Sequence, residues 1–253
     1  MSPSAETSGF GARSAVVTGA SNGIGRAISV ALAASRMDLW LAGRDEKRLD
    51  ATAATAISLG SRARVIVADF ERDDDIAALV EVVNNECEQL DVLVHAAGVA
   101  RADDAGSAEL PLAAHHAVNT RAPRVITAAV QPLLLRARGM VVVVNSVAAL
   151  RDAPGFTSYA ASKVAAKSWA DALRVELAGR GVRVCSLFPG QVATDMQRAI
   201  YAHGGDAYEP DRLLQPADIA AVVAFMNDHP QMELTEVMLR SAQGGYVARS
   251  VSA

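Results

Sequence analysis

Short apolar runs alternate with amphipathic stretches along almost the whole chain. Positions 14–17, 39–42, 64–68, 91–94, 140–144, 182–187 and 235–239 are runs rich in valine and leucine, with the length and composition of buried strands. After the first run, Ile24, Ala27, Ile28, Ala31 and Leu32 recur at three- and four-residue spacing. Leu49, Ala53, Ala56 and Ile57 follow the second run in the same way, and Ile76, Leu79, Val80 and Val83 follow the third. Further helical stretches are expected at about 108–138, with a kink at Pro123, and at 156–179 and 217–226. Strand and helix in strict alternation predict the α/β class. The expected architecture is a doubly wound, mainly parallel seven-stranded sheet with helices on both faces and right-handed crossovers, a Rossmann-type fold.

Composition leaves this reading intact and removes several function classes. A chain of 253 residues suits one α/β domain, and no linker or compositional break divides it, so residues 13–253 are expected to form a single domain after a flexible tail at 1–12. Residues are 51% hydrophobic but only 4% aromatic, as small-residue helix packing on buried strands requires. A formal charge of -4 and a pI of about 5.7 give no electrostatic basis for binding nucleic acid. The longest near-continuous apolar run, 140–144, is far too short to span a bilayer, and residues 1–11 lack the apolar stretch of a signal peptide. Cys87 and Cys185 stand far apart within apolar runs, which favours two buried thiols and a reducing cytoplasmic setting. The five histidines make no metal-ligand spacing with each other or with cysteine, so no metal is expected.

In such a sheet, ligands bind beyond the carboxyl ends of the strands, and the unusual dipeptides of this chain all fall there. Thr18-Gly19-Ala20-Ser21-Asn22-Gly23-Ile24-Gly25 joins the first strand to the first helix. Glycines let the backbone approach a ligand, and the helix start offers unpaired N–H groups and a positive dipole end, which suits a pyrophosphate. The second strand ends at Gly43-Arg44-Asp45, where a dinucleotide-binding fold reads the adenosine ribose. A guanidinium there grips a 2′-phosphate, so Arg44 favours NADP(H) with NAD(H) as the alternative, although Asp45 follows directly. In the second half, Tyr159 and Lys163 lie four residues apart on one helical face. A phenol with an ordinary pKa of about 10 is a weak acid or base at neutral pH, and a neighbouring ammonium favours its phenolate. Ser146 follows the strand at 140–144, at the level where cofactor and substrate are expected to meet.

Together these residues resemble the short-chain dehydrogenases/reductases, in their single-domain branch of about 250 residues. The likeness runs from about residue 13 to 239. Thr18 to Gly25 matches T-G-x-x-x-G-x-G, Asp69 the acid after strand three, His95-Ala96-Ala97-Gly98 the N-N-A-G segment, and Asn119 the asparagine of the fourth helix. Ser146, Tyr159 and Lys163 match the catalytic serine and Y-x-x-x-K, and Pro189-Gly190-Gln191-Val192-Ala193-Thr194 the P-G-x-x-x-T segment. The chain departs from the pattern at His95-Ala96, which removes amide side chains, and at 235–245, which lacks G-x-x-x-x-V-D-G-G. His95 reads as a strand-end residue satisfied by its neighbours rather than as a catalyst.

The resemblance implies hydride transfer between NADP(H) and a carbonyl compound or secondary alcohol. Tyr159 would exchange the hydroxyl proton, Ser146 would hydrogen-bond the substrate oxygen, Lys163 would serve both tyrosine and ribose, and Asn119 would hold a water beside Lys163. Cofactor contacts would come from Gly19, Ser21, Asn22, Gly23, Ile24 and Gly25, from Arg44, Asp69 and Phe70 at the adenosine end, and from Ala96, Ala97 and Gly98. Tyr159 and Lys163 would complete the floor, with Pro189, Gly190, Val192 and Thr194 over the nicotinamide. A variable segment at about 191–212 is expected to close over the substrate; Met196, Ile200, Tyr201 and Tyr208 favour a moderately apolar one, with Gly204-Gly205 as a hinge. The family's habit of pairing through its fourth and fifth helices predicts a homo-oligomer, a tetramer or dimer, with Val125, Ile126, Trp169 and Leu173 as surplus apolar residues. Two other readings compete: a non-catalytic NADP(H)-binding regulator, which has no need to keep Ser146, Tyr159 and Lys163 together, and a sugar-nucleotide epimerase or dehydratase, against which the glycine spacing and the lack of a long C-terminal substrate domain argue.

Overall fold

A computed structural model describes residues 13–103 and 109–243. The tail at 1–12 and Gly244-Gly245 of the atypical C-terminal pattern lie outside the described residues. Seven strands, β1 (Ser14–Thr18), β2 (Asp38–Gly43), β3 (Ala63–Val67), β4 (Val92–His95), β5 (Met140–Val144), β6 (Arg183–Pro189) and β7 (Glu236–Leu239), form one sheet in the order β3-β2-β1-β4-β5-β6-β7. Every neighbouring pair is parallel, so the sheet is wholly rather than mainly parallel. Val17 of β1 stands between Leu41 of β2 and Val94 of β4, and the strand order reverses at this point.

Alternation along the strands divides the core into two layers. Val17, Leu41 and Val94 face α1 (Gly23–Ala34), α2 (Glu46–Ser58) and α8 (Pro216–Asp228), whereas Val16, Leu93 and Val141 face α3 (Asp73–Glu86), α5 (Ala122–Ala137) and α6 (Thr157–Leu177). All five residues of β5 are buried, and at about 1.5–3 kcal/mol for each fully buried large apolar side chain this central strand anchors the fold. Helix α4 (Glu109–His116) leads into α5 through a π-helical turn at Ala117–Arg121.

Several local expectations change. The helical run 109–137 is unbroken, with a π-helical turn at Ala117–Arg121, and Pro123 directly follows that turn as the second residue of α5. Ile57 does not join the core-facing stripe of α2 but is exposed. The segment 191–212 contains a further helix, α7 (Asp195–Gly204), with no buried residue, and Gly205 closes it in the left-handed conformation at φ 70°. Cys87 and Cys185 are free and buried. Among the described residues no group of three His, Cys, Asp or Glu side chains is placed to hold a metal, and no helix is long and apolar enough to cross a membrane.

Candidate active site

The carboxyl ends of β1, β2 and β4 open onto a cleft of about 430 Å³, at the reversal of strand order. Its wall is built by close backbone approach. Gly19 takes φ 71°, and a Cβ there would lie 2.6 Å from the Ala97 nitrogen, so the loop can rest on the end of β4 only without a side chain. A Cβ on Gly25 would meet the Gly19 carbonyl, whose carbon is 2.7 Å away. Because that neighbour is backbone, Gly25→Ala is expected to destabilise the fold by about 1–3 kcal/mol despite the better helix propensity of alanine. Thermal unfolding would read this as a fall of several degrees in Tm; an unchanged Tm would mean that the loop yields freely.

At the head of α1 the first turn carries no acidic residue, and Asn22 makes no capping bond to it. The Asn22 amide instead donates to Asp195 (2.6 Å), across the cleft mouth. The first N–H groups and the positive end of the helix thus face the cleft, an arrangement that fits a pyrophosphate.

Of the residues singled out from the sequence, Gly19, Ser21, Asn22, Gly23, Ile24, Gly25, Arg44, Asp69, Phe70, Ala96, Ala97, Gly98 and Thr194 line this cleft. Pro189, Gly190, Val192, Tyr159 and Lys163 do not. Pro189 is buried at the end of β6, the Gly190 N–H donates to Leu239 O (2.9 Å), and Val192 is buried in a bridge to Leu214; the three hold the segment that presents Thr194. Arg48, Asp195, Met196, Val99 and Val118 line the cleft without having been singled out for it. Arg48 follows Arg44 by one helical turn, a spacing that could have flagged it.

The second group converges behind Gly98. A Cβ there would come within 3.3 Å of Asn119 Oδ1 and 3.8 Å of Lys163 Nζ. Lys163 is buried and donates to the Val144 carbonyl (3.1 Å) at the end of β5; burial pushes its pKa down to about 8. Its ammonium lies 5.8 Å from the centre of the Tyr159 ring. Tyr159 is partly buried, and burial pushes its phenol up against the opposing hydrogen bond from Ser146. The net direction is upward, away from the neutral range, because desolvation is the larger of the two effects. Asn119 accepts from Val99 N–H and donates to Val99 O and to Ser162 Oγ, each at 3.0 Å. Asn145, which no motif marked, follows β5, and its amide donates to Lys163 O (3.1 Å), tying that strand end to α6.

His95 turns into the layer of α5 and α6. Its Nε2 lies 2.8 Å from Thr127 Oγ1 and its ring 6.0 Å from that of Trp169, with burial pushing its pKa down to about 3. The Thr18 hydroxyl, donating to Val94 O and accepting from Ala97 N–H (both 3.3 Å), ties β1 to β4 instead.

Comparison with known proteins identifies the family. A family model described as short chain dehydrogenase matches residues 13–204. A 3-oxoacyl-[acyl-carrier-protein] reductase of Synechocystis sp. is 31% identical over 242 residues, covering 93% of this chain and 97% of its own. Among solved structures, an alcohol dehydrogenase of the archaeon Thermococcus sibiricus complexed with 5-hydroxy-NADP aligns with a TM-score of 0.82 at 26% identity, over 92% of this chain and 98% of that one. A putative NAD(P) dependent gluconate 5-dehydrogenase of Beutenbergia cavernae with bound NADP (low occupancy) aligns with a TM-score of 0.82 at 28% identity, over 93% and 98%.

Proposed function

The chain belongs to the short-chain dehydrogenase/reductase family of oxidoreductases, and from that premise we propose that it interconverts a carbonyl compound and a secondary alcohol with NADP(H), Tyr159 being the acid–base group. The observation that carries this reading is the meeting of Ser146, Tyr159 and Lys163 behind Gly98, at one end of a glycine-walled cleft whose other end holds Arg44. A protein that only bound a dinucleotide would need the cleft and not the phenol with its hydroxyl and ammonium neighbours.

The cleft residues fit the cofactor in order. Arg44, Asp69 and Phe70 would hold the adenosine end, the loop from Gly19 to Gly25 the pyrophosphate, and Ala97, Gly98 and Thr194 the nicotinamide end. Bound there, the nicotinamide supplies hydride. The chain itself supplies orientation and a proton. Ser146 Oγ would donate to the substrate oxygen as charge develops on it, and the Tyr159 phenol, kept protonated by burial, would deliver the proton in the reducing direction. Lys163 would hold the ribose while its charge stabilises the phenolate left when the proton is delivered. Asn119 would set the backbone of Val99 beside this ammonium.

Helix α7 supports a pocket cover of moderate polarity: Tyr201 stacks edge-on with Tyr208 at 5.7 Å and donates to Gln191 (2.9 Å), and Met196 is exposed beside the cleft. Incubation with NADPH and a panel of apolar ketones and aldehydes tests the reading; oxidation of NADPH with none of them overturns it. The two free buried thiols support a reducing, cytoplasmic setting.

Assembly is proposed through α5 and α6. Ile126 and Leu173 turn into the core and leave the surplus apolar set, because their helical phase points them at the sheet. Val125, Val164 and Val175 are exposed on these helices, 44%, 50% and 76% respectively, and beside Val125 a groove runs between Arg124, Gln131 and Trp169. A homo-oligomer, most simply a tetramer with twofold axes, is expected. Light scattering at micromolar concentration should return a multiple of 26.4 kDa; a 26.4 kDa particle refutes it.

A further inference from the structure

Helix α6 carries Tyr159 in its first turn, and the first N–H groups of any helix need acceptors from outside it. The residue at the cap position is Phe156, which has no side-chain oxygen and makes no capping bond. The acceptor comes from another part of the fold. Asp103, in the segment that follows β4, accepts from Ser158 N–H through Oδ2 (3.0 Å), and its own N–H donates to Gly155 O (3.0 Å). Two bonds of opposite sense thus clip residue 103 to the turn that starts the helix.

The same segment is fastened twice more. Asn119 takes both the N–H and the carbonyl of Val99, and Arg101 N–H donates to His115 Nε2 (2.9 Å). His115 is fully buried, and its ring meets that of Tyr159 edge-on, centroids 5.8 Å apart. Because Nε2 accepts, the neutral ring carries its proton on Nδ1. Burial opposes the charge on Asp103, but hydrogen bonds from the Ser158 hydroxyl and the Ser158 and Thr157 backbones hold its carboxyl below the ordinary range, so it is an anion at the positive end of α6.

We infer that Asp103 is a positioning residue for Tyr159: residues 99–103 form a strap running from Asn119, past His115, to the start of α6, and its last fastening sets the helix turn that aims the phenol. The inference rests on the reading of Tyr159 as the acid–base group. A phenol displaced by about an ångström loses much of its rate, since catalysis depends steeply on geometry, whereas cofactor contacts in the main cleft do not pass through this turn.

The test uses the full-length protein with Asp103→Ala and Asp103→Asn, the second of which keeps an oxygen for the Ser158 N–H. In Asp103→Ala, kcat should fall about tenfold or more with KM for NADPH within about twofold, and Asp103→Asn should recover to within about threefold of wild type. Hydrogen exchange of the Ser158 and Tyr159 amides should quicken about tenfold in the alanine variant and not in the asparagine variant. Unchanged kcat in Asp103→Ala overturns the inference, as does an equal loss in both variants or exchange that quickens along the whole of α6 with a lowered Tm. Wild type that turns over no carbonyl with NADPH would instead defeat the reading of the reaction, and the amide exchange would then decide the strap by itself.

Discussion

Tyr159→Phe is expected to lower kcat on the carbonyl substrate by about 10²–10⁴-fold while the NADPH dissociation constant stays within about threefold. The substitution removes one oxygen and leaves the ring against His115, so packing should survive. What is lost is the atom that Ser146 bonds and that would carry the proton. Lys163→Met should differ in kind. The ammonium reaches Val144 O from a buried position beside Gly98, and its loss should cost both rate and cofactor affinity. Steady-state kinetics with NADPH titration separates the two patterns. Near-wild-type turnover in Tyr159→Phe would remove the phenol from the reaction and make His95, buried against Thr127 and Trp169, the next residue to test.

The sheet was legible because its strands are buried on both faces. Runs such as Met140–Val144 have no polar position to blur them, and the glycines of the first loop mark a local event, the close approach of one backbone to another. Helix α7 was not legible as a helix, since nothing on it is buried and the core imposes no stripe upon it. Pro123 stands inside a helical run that passes from α4 through the π-helical turn into α5, a change of helical register that no apolar spacing marks. Tyr159 and Lys163 could be picked out by their spacing on one helix and Ser146 by its place after a strand, whereas Asn119 was legible only through the family resemblance. Asn145, His115 and Asp103 could not, because each matters through a partner that is distant in sequence: Lys163 O, Arg101 N–H and Ser158 N–H.

Arg44→Asp is expected to shift the preference for NADPH over NADH by about 1.5–3 kcal/mol, or roughly 10–150-fold in the ratio of dissociation constants. Arg44 follows the last residue of β2, lies exposed on the cleft wall and makes no ion pair among the described residues, so its guanidinium is available to a 2′-phosphate. The doubt raised by Asp45 is met by where its carboxylate goes. It caps α2 by accepting from Arg48 N–H (3.1 Å) and pairs with Arg48 Nε at 3.3 Å, so its charge is spent on its own helix. Arg48 is a second cation on the same wall, but it already pairs with Asp45 and with Asp195 (3.0 Å), so Arg48→Gln should move the ratio less than Arg44→Asp does. A carboxylate at position 44 would repel the phosphate and offer an acceptor to a free ribose hydroxyl, which moves the two affinities in opposite directions. Isothermal titration with both cofactors at one fixed ionic strength reads the ratio without screening differences. Wild type binding NADH more tightly than NADPH, or a ratio that Arg44→Asp leaves unmoved, would take the 2′-phosphate away from Arg44.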